Sequence, residues 1–219
     1  MNLTTFTPSS ALLTVVILAL APFVAVMVTS FTKIVVTLSL LRNGLGLQQT
    51  PPNVVINGLA LILTLYVMYP VGLKMQAAVA EHPPAATASD TGRMFAYADA
   101  AKEPLRDFLI KHASPRERVF FLRTARRVLP PQRAQLMTDR DFIVVVPAFT
   151  VGELTTAFQI GFLIFLPFLV IDLVVSNILL AMGMMMLSPT TVSLPFKLLL
   201  FVLIDGWVKL AHGLVLSYQ

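Results

Sequence analysis

Four long apolar blocks, separated by polar segments, dominate the pattern of the chain. They cover residues 11–41, 54–73, 158–187 and 194–215. Each block reaches or exceeds the roughly 20 residues that an α-helix needs to cross a bilayer. The pattern therefore predicts an all-α integral membrane protein, in which two long helical hairpins (four hydrophobic helices) flank a small, mainly helical polar domain.

The polar domain interrupts the apolar pattern between the two hairpins. We divide the chain into an N-terminal hairpin (1–73), this domain (74–153) and a C-terminal hairpin (154–219). Residues 74–153 hold 12 of the 16 basic and 9 of the 11 acidic residues. Because Arg42 and Lys197 border the short loops of the hairpins, those loops are expected in the cytoplasm and the polar domain in the periplasm.

Two helix-start patterns organise the polar domain. Residues 114–117 (SPRE) form a capping box with proline at the first helical position, and Pro130 and Pro131 end the predicted helix. Its arginine face either is solvated or meets an acidic partner. Residues 81–91 form a predicted linker. Residues 143–146 are β-branched, which fits a short strand or an extended segment, and a second capping box at 150–153 starts the helix of the third block.

The first apolar block is too long for a simple span. As one helix, residues 11–47 would measure about 55 Å, beyond a hydrocarbon core of ~30 Å. Pro22 is therefore expected to kink it. Thr29, Lys33 and Thr37 recur every four residues and form a polar stripe. Such a stripe is expected to face protein rather than lipid.

Six charged residues lie inside or beside the apolar blocks, where ionisable groups are costly and usually paired. Asp205 and Lys209, four residues apart, are expected to pair within one helix. Asp172 and Lys197 could pair within the hairpin or between subunits, because a second helix starting near Leu194 would place them at different heights. These residues could either support the structure or take a direct part in transport, and the sequence favours neither role. The six are Lys33, Arg42, Asp172, Lys197, Asp205 and Lys209.

A methionine run lies between the third and fourth blocks. Residues 181–187 read AMGMMML. Methionine is flexible and polarizable and packs against irregular partners, so the run fits either the end of a buried helix or a deformable surface. Gly183 would free the backbone of the loop that presents Met184, Met185 and Met186, and acts as a predicted hinge. Met182 is assigned to helix packing.

Composition narrows the function classes. The chain is 57% hydrophobic and 12% charged, with a mean hydropathy of +0.82. Its net charge of +5 is not spread as nucleic-acid binding requires. There is no cysteine, no phosphate-binding loop and no serine nucleophile motif, and the three histidines lack metal-ligand spacing. We therefore expect neither an enzyme nor a cofactor or metal site.

Three groups of motifs resemble one known family. The first comprises residues 31–36 (FTKIVV), 40–46 (LLRNGLG) and 48–53 (QQTPPN); the second, 147–149 (PAF), 153–154 (EL) and 157–162 (AFQIGF); the third, 172–175 (DLVV), 194–197 (LPFK) and 205–207 (DGW). Together they resemble the FliP/SctR family of type III secretion export-apparatus proteins. The chain departs from that pattern at Gly44, where alanine is more usual, and at Gly152, where serine is.

The resemblance implies an export gate in the bacterial inner membrane. It implies a pentamer that joins subunits of the FliQ/SctS and FliR/SctT types, rises toward the periplasm and passes unfolded substrate proteins. Met184, Met185 and Met186 correspond to a gasket closing the channel, and Asp172 and Lys197 to charges that support assembly. No longer, cleavable N-terminal signal is visible, which favours a virulence-type system. Membrane lipid is an expected contact and nucleic acid is not.

Two other classes of function stay open at the level of the residues. The intramembrane charges could form a proton or ion relay in a small-solute transporter. A passive membrane scaffold would use the methionines only as packing. No repeat relates the two hairpins, whereas transporters usually contain one.

Overall fold

The computed structural model describes residues 8–47, 50–81 and 90–219, and all regular secondary structure in these ranges is helical. Most of the predicted linker and residues 48–49 of the family motif lie outside them. The helices are α1 (Pro8–Val28), α2 (Phe31–Gly44), α3 (Asn53–Glu81), α4 (Asp90–His112), α5 (Pro115–Val128), α6 (Pro131–Leu136), α7 (Phe142–Ala181), α8 (Pro189–Leu203) and α9 (Gly206–Leu216).

The long apolar helices are arranged as two hairpins. In the described residues, α3 and α7 are each long and apolar enough to cross a membrane. The pairs α1/α2 and α8/α9 qualify as spans only when each pair is taken together, and they bend by 74° and 58°. The chain is thus an all-α, membrane-embedded protein, as the apolar blocks predict.

The measured bend in the first block lies after α1, where α1 and α2 meet at 74°, and the kink expected at Pro22 stays a prediction. α1 continues through Pro22 and ends at Val28. The hydroxyls of Thr29 and Thr32 then donate to carbonyls of the last turn of α1, at 2.8 and 2.9 Å. Because these side chains satisfy carbonyls that a continuing helix would use, α1 stops and α2 starts in a new direction.

α2 lies in the interior between α3 and α7. Ile34 and Leu38 are buried on it, and so are Lys33 and Thr37 of the predicted polar stripe. The stripe therefore faces protein, as expected. The approach to α7 is close, since a Cβ added at Gly161 would lie 2.3 Å from a methyl group of Leu40.

α7 begins earlier than the sequence indicates. Residues 143–146 are helical rather than extended, and the helix starts after Asp141 rather than at the capping box of 150–153. Val145, Ala148 and Phe149 are buried against Leu109 of α4. Because burial at helical spacing outweighs the weak preference of β-branched residues for strands, the local pattern misleads here.

The polar domain is built from α4, α5 and α6. α5 starts at Pro115 and ends before Pro130, as predicted. α3 continues beyond residue 73 and α7 runs through residue 153, so both helices cross the proposed domain boundaries. The division into three parts stays a prediction.

Candidate functional site: the C-terminal hairpin tip and its buried charges

The methionine loop starts at a defined helix end. Gly183 has φ +72°, and its N–H donates to Leu180 O at 3.0 Å, while Met184 N–H donates to Leu179 O at 2.9 Å. These two bonds form a Schellman motif, in which glycine holds the left-handed position. A Cβ added at Gly183 would meet no atom within 4 Å, so conformation rather than space favours glycine.

The three methionines differ in exposure. Met184 is 40% exposed, Met185 80% and Met186 99%. Leu187 N–H donates to Met184 O at 3.3 Å, which folds the loop back before α8 begins at Pro189. The hairpin therefore carries two fully projecting thioether side chains at its tip and a third against its wall.

An apolar groove of about 620 Å³ lies beneath the tip. Its walls come from both legs of the hairpin and from the loop: Val174, Ile178, Met182, Met184, Leu187 and Phe196. Met182, assigned to helix packing, lines this groove. The site therefore combines a projecting methionine tip with an apolar hollow into which side chains could move.

Asp172 and Lys197 join the two legs of the hairpin. Lys197 Nζ donates to Asp172 Oδ2 at 2.6 Å, and Ser193 Oγ donates to Asp172 Oδ1 at 2.5 Å. Because α7 ends at Ala181 and α8 already begins at Pro189, the two charges lie about 14 and 12 Å from the loop at 1.5 Å per residue. The expected mismatch in height is wrong, and the pair forms within one chain. Ser193 was not predicted.

The loop after α2 meets this ion pair. Arg42 donates to Asn53 Oδ1 at 2.6 Å and to Pro51 O at 3.3 Å, which ties the ends of the loop together. A Cβ added at Gly46 would lie 3.8 Å from Lys197 Nζ. The N-terminal hairpin thus covers the ammonium group that holds the C-terminal hairpin.

A second buried ion pair contains a residue that the sequence analysis missed. Lys33 Nζ lies 3.4 Å from Glu153 Oε1 and 3.6 Å from the ring centroid of Tyr218. The Tyr218 hydroxyl donates to the other oxygen of Glu153. Glu153 was assigned to a helix start. Had the predicted start of α7 been placed earlier, Glu153 would have stood out as a lone acid inside an apolar helix. It would then have been a candidate partner for Lys33.

The expected pair of Asp205 and Lys209 is wrong. Asp205 has φ 53°, in the left-handed region, and precedes the first residue of α9. No ion pair joins Asp205 to Lys209, although both belong to the part of the chain that the structure describes. Residues four apart meet only on a continuous helix, and the chain bends at this point. Lys209 lines an apolar cavity of about 410 Å³ instead.

No metal site is visible in residues 8–47, 50–81 and 90–219, since no three histidine or acidic residues converge there. His82 lies outside these ranges. His112 packs on Phe108, with ring centroids 4.8 Å apart. Burial, with the charges of Lys111 and Lys33, lowers the pKa of His112 to about 4.

Comparison with known proteins identifies the family to which the chain belongs. The FliP family profile matches residues 12–214. The chain is 52% identical over 211 residues to "Pathogenicity-related ORF2" of Xanthomonas campestris pv. glycines, covering 96% of this chain and 97% of that protein. It is 53% identical over 202 residues to "Yop proteins translocation protein R" of Yersinia pestis, covering 92% of each.

A further relative is "Hypersensitivity response secretion protein HrcR" of Ralstonia nicotianae, 49% identical over 211 residues, 96% of this chain and 97% of the relative. The molecule is thus a membrane-embedded component of a secretion apparatus. It belongs to the FliP family, among the SctR-type proteins of type III secretion. Members of this family are structural components, so the expectation that the protein is not an enzyme is confirmed.

Proposed function

We propose that this protein is a core subunit of the type III export gate and that the loop tip seals its channel. The observation that carries the proposal is the exposure of Met185 and Met186 at the end of a braced hairpin. A seal around chains of arbitrary sequence must be apolar, to stop ions, and deformable, to admit side chains of different size. Flexible thioether side chains combine both properties.

The hairpin supplies the support that a seal requires. The Schellman motif at Gly183 fixes where the loop leaves α7, and the Asp172–Lys197 pair fixes the spacing of the legs. The loop can therefore deform locally while its base keeps its position. The groove beneath gives Met184 a place to move when a substrate passes.

Assembly with other subunits is the second part of the proposal. The protein forms a homopentamer with FliQ/SctS-type and FliR/SctT-type subunits in the bacterial inner membrane, partly raised toward the periplasm. Supporting this, large side chains stay exposed all along the hairpin legs, including Phe162, Leu163, Val202 and Leu203. Such a surface needs cover from lipid or from other subunits.

A virulence-type system is the proposed setting. The names of the relatives refer to pathogenicity, hypersensitivity and translocation of Yop proteins. The transporter alternative needs charges that are free to exchange protons or ions. Asp172 is instead paired with Lys197, and Lys33 with Glu153, which leaves Asp205 as the one acid of the six charges without an ion pair in the described residues.

The native mass of the complex, purified in mild detergent, tests this assembly. We expect five copies of this chain together with small hydrophobic partner subunits. A single copy, or an assembly without such partners, would contradict the proposal. A secretion assay in a strain lacking the gene supplies the functional control, because export must then stop and return with the gene.

A further inference from the structure

The outer face of α5 carries an unpartnered basic stripe. Arg116, Phe120, Arg123 and Arg127 lie at helical spacings of four, three and four, so they share one face. All four side chains are exposed, and Phe120 is 57% exposed. We call these residues the arginine stripe. The ring of Phe120 contacts Phe121 edge-on, with centroids 5.3 Å apart, and its exposed part adds apolar surface to the middle of the stripe.

Six other basic side chains of the polar domain are engaged. Three of them bind carboxylates on other turns or helices: Lys102 binds Asp99, Arg106 binds Glu103, and Arg140 binds Asp107. Two others donate to backbone carbonyl groups, Lys111 to that of Gln219 and Arg126 to that of Met137. Arg118, on the inner side of α5, binds Asp139 at 2.8 Å. Within the part of the chain that the structure describes, the stripe arginines have no such contact, which leaves their guanidinium groups available for a partner.

The direction of α5 argues against lipid headgroups as that partner. Ser114 lies beside Gly152 of α7, whereas Arg126 reaches Met137, ahead of the start of α7. α5 therefore runs back along the first turns of α7, away from its apolar span. From Arg116 to Arg127 the stripe extends about 17 Å in that direction. A headgroup layer is only roughly 5–8 Å thick and would cover one end of the stripe.

A second copy of this chain offers too few carboxylates. Six acidic residues of the described ranges are already in ion pairs: Asp99, Glu103, Asp107, Asp139, Glu153 and Asp172. Of the described acidic side chains, those without an ion pair or backbone contact are Glu81 of α3, Glu117 of α5 and Asp205, which precedes α9. Among the described side chains, no one element therefore carries carboxylates that match three guanidinium groups in a row.

We propose that the arginine stripe docks an acidic segment of another protein. The segment carries carboxylates spaced along about 17 Å and an apolar side chain that packs on Phe120. Arginine and aromatic residues together are typical of the centre of protein interfaces, and guanidinium groups bind carboxylates through two parallel hydrogen bonds. This interaction is separate from the seal at the loop tip, so either proposal can fail alone.

The test is a site-specific photo-crosslink in cells that make the complete secretion apparatus. Phe120→benzoylphenylalanine places the probe on the stripe and keeps an aromatic ring there. Adducts are identified by mass spectrometry down to the crosslinked peptide. The same probe is combined with Arg123→Glu/Arg127→Glu, and with Lys74→Glu as a control at an exposed lysine of α3.

The expected result is one dominant protein adduct through an acidic peptide. Its yield falls at least about tenfold in the double arginine variant, because like charges then face each other, and stays unchanged in the Lys74 variant. If the glutamate variant does not accumulate, Arg123→Gln/Arg127→Gln replaces it. The proposal is overturned if no adduct forms, or if the adduct is with lipid or with a second copy of this chain. It is also overturned if the yield of the adduct is the same with and without the arginines.

Discussion

Lys197 Nζ lies 2.6 Å from Asp172 Oδ2, across the two legs of the C-terminal hairpin. Lys197 is buried, while Asp172 is partly exposed and also accepts a hydrogen bond from Ser193. This pair joins the two elements that carry the methionine loop. Its integrity is therefore a condition for the position of that loop, which makes it the first target for mutation.

Removing one member of this pair should destabilise the hairpin. Asp172→Asn leaves the buried ammonium group of Lys197 without its counter-charge, a loss of about 3 kcal/mol for buried pairs in general. Asp172→Lys adds repulsion and should lower the yield of assembled complex further. The yield and the thermal unfolding of the complex in detergent measure both effects.

Asp205→Asn is the matched control for the Asp172 variants. It removes a carboxylate from the same hairpin that takes part in no ion pair of the described residues. It should leave yield and unfolding temperature unchanged. Equal losses at Asp172 and Asp205 would show that the geometry of the pair is irrelevant.

Because Lys33 and Glu153 form a buried pair, we expect the effects of their mutations on stability to be strongly coupled, although the two residues are distant in the sequence. Glu153→Leu or Lys33→Met should each cost about 3–5 kcal/mol, since each leaves a buried charge unpaired. The double variant Lys33→Met/Glu153→Leu should lose less than either single variant. A double-mutant cycle on unfolding temperature measures this, with Glu117→Ala as a control at a partly exposed acid outside any ion pair of the described residues. Additive losses would refute the coupling.

The cap at Gly183 predicts a conformational, not a steric, cost of substitution. Gly183→Ala should destabilise the hairpin by about 1 kcal/mol, because alanine is disfavoured at positive φ. Gly183→Asn should cost less, since asparagine tolerates this region. Gly58, inside α3 with no atom within 4 Å of an added Cβ, is the matched control, and Gly58→Ala should be neutral or stabilising. Unfolding temperatures that rank alanine above asparagine at 183 would contradict the cap.

His112 predicts that acid weakens the polar domain. Its pKa is about 4 in the folded protein and 6.5 ordinarily, so the unfolded chain binds the proton more readily between these values. Stability should therefore be complete above about pH 6.5 and fall as the pH drops toward 4. His112→Phe keeps the aromatic packing and should reduce the loss of unfolding temperature between pH 7 and pH 5. An unchanged pH dependence in His112→Phe would refute the role of His112.

The sequence predicts the long apolar elements and the class of protein well, because burial in lipid imposes a long and nearly uniform pattern. It also predicts the start of α5, where proline occupies the first helical position, although the Ser114 side chain makes no capping hydrogen bond. It fails where tertiary contacts decide. Residues 143–146 look extended, yet packing against α4 makes them helical.

The errors at the candidate site follow from the errors in helix ends. A helix start at 150 disguised Glu153 as a capping residue, and a helix start near 194 separated Lys197 from Asp172. Both residues are visible in the sequence, but their partners depend on where α7 and α8 begin. The predicted pair of Asp205 and Lys209 is wrong for a different reason. The sequence gives no sign of the bend between α8 and α9, which lies at Asp205.

The seal at the loop tip is tested most directly by ion leakage across the inner membrane. The variant Met184→Ala/Met185→Ala/Met186→Ala is compared with Met182→Ala, which leaves the projecting side chains intact, in cells that assemble equal amounts of complex. We predict that the triple variant leaks ions and secretes abnormally with assembly unchanged, because alanine cannot fill the closed channel. Wild-type permeability and wild-type secretion in the triple variant would contradict the account.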